Sequence, residues 1–379
     1  MAYIISDEGK DLLKDVHDFC ENEVKEQSKE FDLSGEWPQN IYDMAAEMQL
    51  GTLDVPEEFG GPGLSRIDHA AILEEMAKAD AGFATSFMTN GLSLHPIEFG
   101  GTKEQLKSVY DVILKGGFGA FCLTEPNAGC DVSNGSTTAV KDGDDYIING
   151  TKCFITNGPV ADFFTVFAKT DKSAGAKGMS AFLIFKGTPG LSIGSHENKM
   201  GIRLSQTSDV ILEDVRVPAS AMLGKEGDGF KIAMKTLDIA RTWCGIVAVG
   251  LAQRAIDEAA SYVRTRVQFG KPLGRNEVIQ FKLADMQMAT EAARQLCAYS
   301  LTLMDRGEDY TVASATAKCK AGDAAMYCTT EAVQILGGYG FSRDYPVEKL
   351  MRDAKIFQLF EGTNEIQRLV VGRSVVGKC

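Results

Sequence analysis

Between residues 119 and 226 the hydrophobic pattern of the chain changes period. AFCLT (120–124), DYIING (145–150), KCFIT (152–156), FFTVFAKT (163–170), MSAFLIF (179–185) and DVILEDVRV (209–217) are short, rich in aromatic or β-branched residues, and bounded by turn residues. On both sides the apolar residues recur every three or four positions, as on one face of a helix. Strands and helices are therefore segregated along the chain, which argues against a doubly wound sheet. The expected fold class is α+β: an all-α N-terminal domain over 1–118, a middle antiparallel β-domain over 119–226, and an α-domain over 227–379.

Within the first part, Ser6 is placed to cap a helix carrying Leu12, Leu13, Val16, Phe19 and Val24, and further helical patterns cover 39–49, 66–79 and 103–114. VPEEFGGPG, 55–63, reads as a loop. Asn149-Gly150, between two strand-like runs, is a hairpin signal. Long helical patterns return at 227, near 277–306, and in an Ala-rich stretch ending at Gly337-Gly338; a last one follows Pro346.

The formal net charge of -13 over 379 residues argues against binding nucleic acid or an anionic membrane, both of which require a basic footprint. Nine cysteines without a C-x-x-C pair fit a reduced, cytoplasmic setting better than a disulfide frame. Four histidines, at 17, 69, 95 and 196, show no metal-ligand spacing, so no metal site is expected. The N-terminus resembles neither a signal nor a transit peptide, and no apolar run reaches the ~18 residues of a membrane span.

No G-x-G-x-x-G, P-loop or G-x-S-x-G element is present. Five other segments draw attention. LTEPNAGCDVSNG (123–135) is a loop of small residues and donors after a strand, and Thr156 in CFITNG would present its hydroxyl at a strand end. In RTRVQFGKPL, Arg266 offers a fork to phosphate and Phe269 a ring to pack on. QILGGYGF has paired glycines that admit a close ligand. RDAKIFQLFEGTNEIQR (352–368) sets Glu361 between Phe360 and Gly362-Thr363 in what reads as a buried helical turn. Desolvation there would raise the carboxyl pKa and suit a general base. Each segment has a plainer reading. They are a surface loop, turn chemistry, a basic helix end, a C-cap, and a structural carboxylate paired with Arg352 or Arg368.

Taken in order, LTEPNAGCDV, CFITNG, MGIRLSQTSDVILEDVRVP, LGKEGDGFKIAM, RVQFGKPL, AVQILGGYGF, YPVEKLMRDAKI and EGTNEIQR make the chain resemble the acyl-CoA dehydrogenase family over essentially its whole length, above all its short- and medium-chain, butyryl-CoA-type members. The resemblance implies a middle barrel or sandwich and a C-terminal four-helix-bundle-like domain. It also implies a flavoprotein holding FAD, which oxidises an acyl-CoA to the trans-2-enoyl-CoA in fatty acid β-oxidation. Glu361 matches the base that takes the α-proton while the β-hydrogen leaves as hydride to flavin N5. Flavin contacts fall on Phe121, Leu123, Thr124, Cys130, Phe154 and Thr156, with Thr363 and Glu365 after the base. Arg266, Gln268, Phe269, Gln334, Gly337 and Gly338 match segments that hold the pyrophosphate and adenosine of a neighbouring subunit's cofactor, in a homotetramer. CoA-ester contacts fall on Cys130, Leu237, Asp238, Arg241, Phe360 and Gly362. Ala240 occupies the position at which some members carry an alternative base.

Three positions depart from the family pattern: Cys130 where Ser or Thr is usual, Glu277 where Gln is usual, and the bulky Trp243. The implied partner is an electron-transfer flavoprotein. Alternatives are an enoyl-CoA reductase running the same chemistry backwards, an acyl-CoA oxidase, or a scaffold that kept the fold and lost the chemistry.

Overall fold

The hydroxyl of Ser6 accepts from the N–H of Gly9 at 2.9 Å and caps the first helix. The structure, a computed structural model, describes residues 3–377; Met1, Ala2, Lys378 and Cys379 lie outside the described residues. α1 (Asp7–Phe19) runs through a π turn, Cys20–Val24, into α2 (Lys25–Ser34). α3 (Gln39–Glu47), α4 (Arg66–Ala79), α5 (Ala81–Gly100) and α6 (Lys103–Ile113) follow. α5 is absent from the sequence reading for a physical reason. Every residue from Ala81 to Ile97 is buried, so it has no polar face to create a helical period. Asp80 starts it, its carboxylate accepting from the N–H groups of Gly82 and Phe83 at 2.7 and 2.9 Å.

The middle region forms one eight-stranded sheet. Its strands are β1 (Gly119–Cys122), β2 (Thr138–Asp142), β3 (Asp145–Thr156), β4 (Phe163–Lys169), β5 (Met179–Phe185), β6 (Leu191–His196), β7 (Thr207–Pro218) and β8 (Met222–Leu223). The order is β6-β7-β3-β2-β4-β5-β8. The antiparallel expectation describes β2–β3, β3–β7, β6–β7, β4–β5 and β5–β8. β1 departs from it: arriving straight from the helices, it lies parallel to β4, and Thr138 of β2 meets the end of the same strand in parallel.

The hairpin expected at Asn149-Gly150 is corrected. β3 runs through these residues, and the register against β7 skips between Ile148 and Gly150, a bulge. Asn149 spends its amide on the other strand, bonding the side chain and N–H of Asp214 at 3.0 and 2.8 Å. A Cβ on Gly150 would stand 2.4 Å from Oγ1 of Thr137, so the glycine permits close approach.

Three long helices, α7 (Gly229–Thr265), α8 (Glu277–Asp305) and α9 (Thr311–Leu336), pack side by side. A small hairpin, β9 (Val267–Gln268) and β10 (Lys271–Pro272), follows α7, and α10 (Val347–Ala354) and α11 (Asn364–Val376) lie against α9. One apolar core joins the first and last thirds of the chain, from Val16 and Phe83 through Val247 and Leu251 to Ala321 and Phe357. The sheet has its own core around Ile148, Phe164, Phe182 and Val210.

Charged groups are buried where the three regions meet. Lys349 on α10 donates to Asp80 and to Asp353, the latter at 2.6 Å, and Asp353 also accepts from the N–H of Ile202. Among the described residues no helix is long and apolar enough to cross a membrane, and no cluster of three or more His, Cys, Asp or Glu is poised for a metal. Of the eight cysteines described, all unpaired, only Cys130 is exposed.

Candidate active site

After α10 the chain makes a short 3-10 turn, Lys355–Gln358, and turns sharply before α11. The N–H of Phe360 still bonds back to Ile356 at 3.0 Å, and its ring meets Phe357 edge-on, 5.2 Å between centroids. Glu361 then adopts φ +56° and Gly362 φ +84°. The helical turn expected around Glu361 is therefore corrected: the carboxylate sits on a left-handed residue, a conformation costing an L-amino acid roughly 1–2 kcal/mol. The cause lies one residue on. Thr363 caps α11, its hydroxyl accepting from the N–H of Ile366, so the chain must reverse at 361–362. Glu365, exposed in the first turn of α11, suits the helix N-terminus.

Burial pushes the Glu361 carboxyl up to about 7, against the opposing charges of Lys318 and Arg241. The salt bridges proposed to Arg352 and Arg368 do not form. Arg352 forks onto Asp32 at 2.7 and 3.1 Å and onto Glu348, and Arg368 pairs with Asp323. Oε2 of Glu361 has no hydrogen-bond partner, and neither has Nε of the buried Arg241, whose other arm holds Asp238. A buried carboxylate oxygen and a buried guanidinium N–H left open in one neighbourhood suit a polar ligand between them. Asp238 also accepts from Thr311 at 3.2 Å, and Leu237 turns into the apolar layer between helices and sheet. Ala240 is buried and carries no proton acceptor.

The strand-borne candidates assemble along β1 and the end of β3. The ring of Phe121 packs against Phe167, centroids 5.0 Å apart. The side chain of Leu123 is in the core, so only its backbone is available to a ligand. Thr124 is partly exposed, and its carbonyl accepts from the N–H of Cys153, which binds the loop to β3. A second bulge in β3, between Lys152 and Ile155, turns Phe154 outward with φ +57° and 64% exposure; Thr156 closes the strand opposite Thr207. Cys130 is exposed in the loop after β1.

Sequence reasoning missed what lies beneath. Glu125 and Lys152 form a buried pair at 2.7 Å, and Lys152 also bonds the carbonyl of Leu123. Burial would raise the Glu125 pKa, but Lys152 outweighs it and holds the carboxyl at about 2. Lys318, wholly buried on α9, was also missed.

The remaining candidates stand elsewhere. Arg266 ends α7 and lies over the ring of Tyr339, 5.2 Å from its centroid, which brings the β9–β10 hairpin to the Gly337-Gly338 segment. Phe269, at the tip with φ +51°, is 99% exposed. Gln268 and Gln334 are exposed, and a Cβ on Gly337 or Gly338 would meet nothing within 4 Å. At 1.5 Å per residue, α7 carries Arg266 roughly 37 Å from Arg241. That separation argues against Arg266 serving the Glu361 site of its own chain. Their donors, open glycines and exposed ring do fit a dinucleotide's phosphates and base.

Three family models match the chain: acyl-CoA dehydrogenase N-terminal domain over residues 6–117, middle domain over 120–215, and C-terminal domain over 227–376. The chain belongs to the acyl-CoA dehydrogenase family. A short-chain-specific acyl-CoA dehydrogenase of Megasphaera elsdenii is 45% identical over 382 residues, covering 99% of this chain and 100% of that one. An acryloyl-CoA reductase (NADH) of Anaerotignum propionicum is 42% identical, covering 99% and 96%. A chain in the solved structure "Electron transferring flavoprotein of Acidaminococcus fermentans: Towards a mechanism of flavin-based electron bifurcation" superposes with a TM-score of 0.96 at 42% identity, covering 100% of both.

Two of the chain's departures from the family pattern have plain structural settings. Trp243 is buried in the main core and packs against His69, centroids 4.4 Å apart and ring planes tilted by 31°, an ordinary helix-packing contact. Glu277 is exposed at the first residue of α8, where a carboxylate suits the helix dipole.

Proposed function

We propose that this protein is an FAD-dependent acyl-CoA dehydrogenase that converts an acyl-CoA thioester to the trans-2-enoyl-CoA and passes the electrons to an electron-transfer flavoprotein. The observation that carries this reading is the Glu361 carboxylate, pushed up to about 7 by burial, with Oε2 open and the unpaired Nε of Arg241 in the same neighbourhood. A base with a pKa near the working pH both accepts a proton from the α-carbon and releases it afterwards. Glu361 takes the α-proton onto its free oxygen. Phe360 and Gly362 border the thioester, while Leu237, Asp238, Arg241 and Cys130 hold the CoA ester. Bound FAD would supply the acceptor for the hydride that leaves the β-carbon. Phe121, Leu123, Thr124, Phe154, Thr156, Thr363 and Glu365 would hold the flavin, with Cys130 beside it. Arg266, Gln268, Phe269, Gln334, Gly337 and Gly338 would hold the pyrophosphate and adenosine of a neighbouring subunit in a homotetramer. The rise of α7 supports that assignment, since it separates the two sets within one chain. The setting is acyl-CoA metabolism in the cytoplasm, including fatty acid β-oxidation.

Glu361→Gln tests the assignment. It is expected to keep FAD absorbance and CoA-ester binding and to lose bleaching of the flavin by substrate; near-normal turnover would overturn it. A second reading, reduction of an enoyl-CoA, is supported by the name of the Anaerotignum relative. The same residues serve both directions, Glu361 then returning the proton to the α-carbon. Assays with acyl-CoA plus an electron acceptor, against enoyl-CoA plus reduced flavoprotein, separate them.

A further inference from the structure

Lys318 sits in the middle of α9 with no exposed surface, yet no carboxylate bonds it. Its Nζ donates to the carbonyl of Gly362 at 2.8 Å and to Oδ1 of Asn364 at 3.0 Å. A buried lysine normally lies against an acid, because an unpaired charge is expensive to desolvate. This one is aimed instead at the residue after Glu361.

The surrounding bonds have the same target. Nδ2 of Asn364 is tied to the carbonyl of Cys319 at 3.2 Å and to Asp323 at 2.9 Å, so its oxygen faces Lys318. Nε2 of Gln367 donates to the carbonyls of Glu361 and Gly362 at 3.2 and 2.8 Å. The two left-handed residues are thus held by their carbonyls, and Lys318 is the charged member of that grip.

The charged groups facing Glu361 are few. Arg241 approaches from α7 but is already paired with Asp238; Cys244, also on α7, has its thiol pushed up to about 12 by burial and stays neutral. Lys318, from α9, is the cation without a hydrogen-bonded counter-charge. Burial pulls its pKa down, opposed by Cys244 and Glu361.

Resting on the reading of Glu361 as the base, we propose that Lys318 is a positioning residue for it. It fixes the left-handed turn through the Gly362 carbonyl and supplies a positive charge that favours the ionised form of the Glu361 carboxylate.

The test follows flavin bleaching by a panel of acyl-CoA thioesters from about pH 5 to 9 in the FAD-loaded protein and its variants. Lys318→Met removes the charge and both bonds; Lys318→Gln removes the charge but keeps a donor, and serves if the first variant does not fold. Both are expected to move the acidic limb of the profile upward by about one pH unit, and Lys318→Arg to move it back. Hydrogen exchange over 359–364 is expected to quicken in Lys318→Met and less in Lys318→Gln. An unmoved limb in either neutral variant, with the wild type bleaching normally, overturns the inference. A wild type bleached by no thioester overturns the dehydrogenase reading instead.

Discussion

Nζ of Lys349 donates to Oδ2 of Asp80 across 2.7 Å, joining residues 269 positions apart in the chain. Asp80 caps the buried helix α5, and Lys349 also holds Asp353, which bonds the backbone of the middle region. The pair is a three-way joint. Lys349→Met would leave two carboxylates buried without their cation. It is expected to destabilise the fold by about 3–5 kcal/mol, read as a lower denaturant midpoint. A midpoint equal to wild type would show that the joint carries little stability.

Glu361 makes stability and activity depend on pH in opposite senses. Its folded pKa is raised by burial, so the folded state holds the proton more tightly than the unfolded one. Stability from this group is therefore full below its ordinary carboxylate pKa and is lost as pH rises towards about 7. Glu361→Gln, which cannot ionise, is expected to melt higher than wild type at pH above about 7 and to match it in acid. Bleaching of the wild-type flavin by substrate should do the reverse, rising with pH through the same range.

Gly362→Ala should separate position from chemistry. A Cβ there would stand 2.7 Å from Nε2 of Gln367, on a residue with φ +84°. The turn must shift, and with it the carboxylate. A loss of bleaching rate on the order of 10²-fold is expected, with FAD retained. An unchanged rate would mean that the carboxylate tolerates displacement.

Complementation tests the division of labour along α7. Arg266→Ala and Glu361→Gln are each expected to be inactive. Co-expressed, mixed oligomers should regain bleaching at sites that combine an intact Glu361 with an intact Arg266 from the neighbour. If Arg266 served its own chain's site, every mixed site would stay defective and no activity would return.

What could be read in advance divides along physical lines. β4 and β5 were legible because aromatic and β-branched runs end at turns, and the two strands lie antiparallel as expected of that domain. α5 was not, because a helix buried on every side shows no contrast between faces. Asn149-Gly150 misled because a dipeptide preference is worth less than pairing with β7 on both sides of it. At the site, the carboxylate itself was legible but its electrostatic partners were not. Lys318 in an Ala-rich helix reads as a solvated charge until the Gly362 carbonyl, 44 residues on, is brought over it.

Among the described residues, seven other than glycine have a left-handed backbone, and Phe154, Phe269 and Glu361 are three of them. Glycine at any of these would relax the chain locally. A search for sturdier variants, scored on heat resistance alone, would thus be drawn to three positions that the proposed function gives to the cofactor and the base. For this protein, resistance to unfolding is a poor guide to which substitutions to keep.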